Sequence, residues 1–140
     1  SAATWADNVG GSTTDVAAFD LTVATNATGG YTVSYNGATL TSGSDTIDVA
    51  SITDDANGTP GTEAFGQSIA TNGDATITSG YAYAVTPDWK WVASTTTTII
   101  TEAGPTATET FSMHYLANIT GATEAGAYTT TATYIATGTF

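Results

Sequence analysis

Few side chains in this sequence are equipped for chemistry, and their types and spacing limit what each could do. The single histidine, His114, has no cysteine and no second histidine with which to share a metal. No Gly-x-Ser-x-Gly elbow supplies a nucleophile for it to serve. It lies opposite Phe111, Met113 and Tyr115 in an alternating run, which predicts an exposed strand residue. Paired carboxylates can hydrolyse glycosides when they stand about 5–9.5 Å apart across a cleft. Asp54, Asp55 and Glu63 are close in sequence, but the cations that accompany such clefts are missing, since Lys90 is the only basic residue. No catalytic set emerges, and we expect no enzyme.

Calcium is the one cofactor the residues suggest. Asp54, Asp55 and Asn57, with nearby carbonyls, offer the hard oxygen ligands that Ca²⁺ takes. They lack the alternating acids and closing Glu of an EF-hand loop, and an acidic surface loop accounts for them equally. Trp89-Lys90-Trp91 gathers two of the three tryptophans around the sole cation. One reading is a carbohydrate-stacking platform formed by Trp89 and Trp91. A second is an isopeptide bond from Lys90 to an Asn. The third is a strand that sets Lys90 beside aromatic surface in cation–π contact. Asn26, Asn57 and Asn118 open N-x-[ST] sequons, candidate glycosylation sites in a composition that generates such matches freely.

Composition narrows the class of role. Thirteen acidic residues against one basic give a net charge of −12, and about a quarter of the 140 residues are Thr. Nucleic acid is a poor partner for such a chain, because phosphate binding is driven by Lys and Arg. Anionic lipid is equally poor. The absence of cysteine removes disulfides, thiolate metal sites and thiol catalysis together. No apolar run approaches the roughly 20 residues of a membrane-spanning helix, so membrane insertion is not expected. Ser1-Ala2-Ala3 reads as a mature terminus left by signal-peptide cleavage, which places the product outside the cell.

Secondary structure reads as all-β. Val, Ile, Thr and Tyr dominate, and Gly or Asn clusters interrupt them about every ten residues, the pattern of an antiparallel β-sandwich. Strands are predicted at 16–25, with Phe19, Leu21 and Val23 on one face, and at 31–35. Asn36-Gly37 then predicts a type I′ hairpin into residues 38–40. Further strands are predicted at 46–52, 75–85, 95–102, 108–119 and 126–140, with a long loop over 53–63. In the last run Tyr128, Ala132, Tyr134, Ala136 and Phe140 share one face, and Thr129, Thr131, Thr133 and Thr137 line the other. No segment repeats at a fixed period.

Residues 1–14 stand apart from this pattern, small and polar around Trp5 and closed by Gly10-Gly11. We read them as an N-terminal arm ahead of a sandwich domain over 15–140. If the sandwich lacks one strand, a neighbouring copy's arm can supply it by β-augmentation, with Ala3, Trp5 and Val9 as donor residues. Head-to-tail donation gives filaments unless the rotation closes a ring. The alternative is an arm that completes its own sheet.

Three stretches carry a resemblance: Val23-Ala24-Thr25-Asn26-Ala27-Thr28-Gly29-Gly30-Tyr31-Thr32-Val33, then Gly61-Thr62-Glu63-Ala64-Phe65-Gly66, and the final run from Ala125 through Tyr134-Ile135-Ala136-Thr137-Gly138-Thr139-Phe140. Together they resemble the secreted, Thr-rich, immunoglobulin-like β-sandwich surface proteins of candidate-phyla bacteria, over about residues 21–140. The general design is similar to donor-strand filament subunits such as TasA-like fibres and archaeal bundling pili. Trp89-Lys90-Trp91 is also weakly similar to the Gram-positive cell-wall-binding WxL domain, whose second tryptophan motif is missing here.

The resemblance implies an immunoglobulin-like sandwich with a structural role. Taken with the residues, it leads us to expect a homopolymeric extracellular filament or pilus subunit. The alternative is a monomeric cell-surface adhesin or carbohydrate-binding module that uses Trp89 and Trp91 on a host surface or glycan.

Overall fold

The computed structural model describes residues 17–53 and 61–140. The donor residues Ala3, Trp5 and Val9, the calcium candidates Asp54, Asp55 and Asn57, and the sequon at Asn57 lie outside the described residues. Eleven strands appear among the described residues: β1 (Phe19–Thr25), β2 (Tyr31–Gly37), β3 (Thr41–Ser42), β4 (Asp45–Thr46), β5 (Ser51–Ile52), β6 (Ala64–Thr71), β7 (Thr76–Ile77), β8 (Trp89–Lys90), β9 (Thr97–Glu102), β10 (Thr106–Asn118) and β11 (Ala132–Gly138). The described chain is therefore all-β, as its β-branched and aromatic composition predicts.

One sheet runs β1-β10-β6-β8-β5 and the other β11-β2-β9-β7, with β3-β4 a separate hairpin. Neighbouring strands pair antiparallel throughout. The pairing is nested, with β1 against β10, β2 against β9 and β5 against β8. Inner faces of both sheets meet in one core: Tyr31, Val33 and Tyr35 from β2, Ile99 and Ile100 from β9, Phe65 and Ile69 from β6, and Phe111 and Met113 from β10. In β2, burial alternates residue by residue along its whole length, the signature of a strand with one face inward.

Strand β6 departs from that alternation, since Ala64 to Ile69 are buried on both faces. Phe65 and Ile69 enter the main core. On the other side Ala64 joins Ala50, Trp89 and Leu116 in a second cluster, flanked by Ile52 and Tyr83. Residues 48–50, 81–83 and Lys90 bond along the free edge of β6, and from there the Trp89 and Tyr83 side chains reach over the outer face of the β6–β10 pair. Gly66 permits this close approach: a Cβ there would stand 2.8 Å from the Ala50 Cβ and 3.1 Å from the Trp89 Cβ.

Several expectations change for this reason. His114 is 7 % exposed, its ring stacked on Tyr83 at 3.8 Å between centroids, so it is not the exposed strand residue expected. The overlying Tyr83 segment belongs to a different part of the chain, which the period of β10 alone does not register. The expected 75–85 strand contracts to β7, because the residues after it leave the sheet to form that cover. Phe140, placed on one face with Tyr128 and Tyr134, is 95 % exposed beyond the end of β11.

Asn36-Gly37 makes no turn. Both residues lie within β2, paired to Thr133 and Ala132 of β11, and neither takes a positive φ. A Cβ on Gly37 would meet the Thr131 carbonyl oxygen at 2.8 Å and the Trp91 ring at 3.0 Å, so the glycine serves close packing instead. The tight hairpin comes later, between β3 and β4, where Gly43 has φ 63° at the first of two loop residues. That position of glycine suits a type II′ turn.

Candidate assembly surface

Strands β1 and β11 occupy the outer edges of the two sheets on the same side of the core. Among the described residues each is paired on one side only, β1 to β10 and β11 to β2. Edge strands in soluble proteins are commonly blunted by charge, proline or a bulge. β11 has none of these: Ala132-Thr133-Tyr134-Ile135-Ala136-Thr137-Gly138 is uncharged, lacks proline and pairs with β2 in unbroken register. Ile135 is half exposed on it. β1 carries one acid, Asp20, which accepts a hydrogen bond from the Ser112 hydroxyl at 2.7 Å.

The edges approach each other through Phe19, whose ring lies 5.8 Å from Tyr134 of β11 and 6.4 Å from Tyr115 of β10. Between them opens a cleft of about 440 Å³ lined by Phe19, Leu40, Phe65, Tyr115, Tyr128, Thr129, Thr130, Ala132 and Tyr134, none of them charged. A polar chain crosses beside it. The Tyr115 hydroxyl bonds that of Tyr134, which donates to Gln67 Oε1 at 2.5 Å. Burial raises both phenols above their ordinary range, and the contact between them raises Tyr134 further. Both stay protonated at neutral pH, so the wall is aromatic and hydrogen-bonding but uncharged. Gln67 is fully buried, and its Nε2 has no hydrogen-bond partner among the described residues.

Trp89 and Trp91 do not form a ligand platform. Each is 2 % exposed, Trp89 in the second cluster and Trp91 in the main core. The Trp91 ring sits 4.6 Å from Tyr35 and 4.7 Å from Phe65, and its Nε1 donates to the Ala38 carbonyl. Lys90 between them is half-buried, with Nζ 5.5 Å from the centre of the Tyr81 ring. Of the sequons, Asn26 is exposed, whereas Asn118 is 1 % exposed and out of reach of a transferase in the folded chain. Among the described residues no group of three or more His, Cys, Asp or Glu could hold a metal. Nor, among the described residues, is any helix long and apolar enough to cross a membrane.

Two buried polar residues escape attention in the sequence. Gln67 stands between Phe65 and Ile69, and Glu109 precedes Phe111 and Met113 by the same two-residue step. A polar residue at an inward position of an alternating strand is the signal that marks both. Comparison of the chain with protein-family models, curated proteins and solved structures finds no match.

Proposed function

We propose that this chain is the structural subunit of an extracellular filament or pilus, assembled by β-strand donation between copies, and not an enzyme. The observation that carries the reading is the uncharged, unbulged edge of β11 beside the open edge of β1. Its backbone groups on that side, unpaired among the described residues, are a template for one more strand. A chain with one cation suits durable exposed material, offering trypsin-like proteases a single site at the half-buried Lys90. Within the all-β class, nesting of β1 with β10 and β2 with β9 favours jelly-roll connectivity over the immunoglobulin-like order the resemblance implies. The adhesin alternative loses its platform with the burial of Trp89 and Trp91. Removing residues 1–9 tests the reading: polymerisation should stop while the far-ultraviolet circular dichroism of the sheets persists. Undiminished polymerisation would refute donation by that segment.

A further inference from the structure

Accepting the strand-donation reading, we infer that the cleft between β1 and β11 is the acceptor for Trp5 of a second copy. The described chain begins at Ala17, two residues before Phe19 on the cleft wall, and 16 residues precede it. In those 16 residues the large apolar side chains are Trp5, Val9 and Val16, and only Trp5 is aromatic. An indole matches a cleft walled by Phe19, Phe65, Tyr115, Tyr128 and Tyr134, where ring–ring contacts add to area burial. Thr129 and Thr130, on the same wall, carry hydroxyl oxygens, the kind of acceptor an indole N–H requires. Twelve Cα-to-Cα steps lead from Trp5 to Ala17, an extended reach of about 40 Å. That reach exceeds the roughly 35 Å diameter of a domain this size, so the segment can span to a neighbour.

The cleft lining itself bears no charge, but Asp45, Glu63 and Glu124 act on Tyr128 at its wall and Asp7 lies two residues from Trp5, so the contact forms only where salt screens these acids. A copy that donates outward leaves its own cleft available to a third, and the contact propagates in one direction.

The chain has no cysteine, so single thiols can be introduced without interference. Full-length chains carrying Thr4→Cys or Thr129→Cys are mixed under assembly conditions and treated with a short bis-maleimide. The expected product is a cross-linked pair containing one chain of each kind. Adding Trp5→Ala to the Thr4→Cys chain should cut its yield about tenfold or more, as expected for loss of a tryptophan anchor. A yield indifferent to Trp5→Ala overturns the assignment of Trp5. An internal cross-link in the double variant Thr4→Cys/Thr129→Cys, in place of a pair, assigns the cleft to the chain's own arm and overturns the second copy. Fibres without any cross-link refute this acceptor but leave strand donation standing. Neither fibres nor cross-link refutes both.

Discussion

The Glu109 carboxylate accepts from the Tyr31 hydroxyl of the opposite sheet at 2.7 Å and from the Ala75 N–H at 3.1 Å, and the residue is 5 % exposed. Burial alone would raise its pKa. The hydrogen bonds from Tyr31, from the backbone of Ala75 and Asp74, and from Thr106 outweigh burial and lower it. A folded carboxyl that titrates below the unfolded one contributes stability above the ordinary Glu range near 4.3, lost as pH falls through its folded value. Glu109→Gln should therefore cost about 1–3 kcal/mol near neutrality, since it weakens a buried bonded group. It should also flatten the acid limb of stability, measured by urea unfolding between pH 7 and pH 3. An acid limb as steep as wild type would show that other carboxylates govern it. Glu109 could be found in the sequence by its inward phase with Phe111. The burial of Trp89 could not, because its cover comes from chain whose placement no local period encodes.

Periodic reasoning holds for β2 and for the β10 face bearing Phe111 and Met113, but β6 is absent from the predicted strands although Phe65 and Ile69 keep the two-residue period. The second buried face of β6 depends on segments at 48–52 and 81–90 pairing along its edge and laying Trp89 and Tyr83 across it, a tertiary event that no local period encodes. A second such event silences Asn36-Gly37: pairing to β11 keeps both residues extended, and the local turn preference yields to the sheet. Gly66→Ala isolates the cover. The added methyl would overlap Ala50 and Trp89, and overpacking of this kind costs typically about 1–3 kcal/mol. Thermal unfolding should detect the loss, and near-ultraviolet circular dichroism should report a changed Trp89 environment. An unchanged melting temperature would mean the second cluster is loose.

Over the whole molecule, 13 acids and one cation make every copy repel every other, and only short-range pairing and burial can hold copies together. Screening is then a condition of the proposed assembly. The Debye length is about 30 Å at 0.01 M ionic strength and about 8 Å at 0.15 M, so repulsion between neighbouring surfaces is largely removed only in the second case. The all-β class was legible from composition and spacing. The nested strand order and the aromatic cleft were not, because both depend on which distant strands become neighbours. Electron microscopy of the purified full-length chain at those two ionic strengths tests the central claim most directly. Our account predicts fibres at 0.15 M that shorten or disperse at 0.01 M, while discrete particles of single-chain size under both conditions would contradict it.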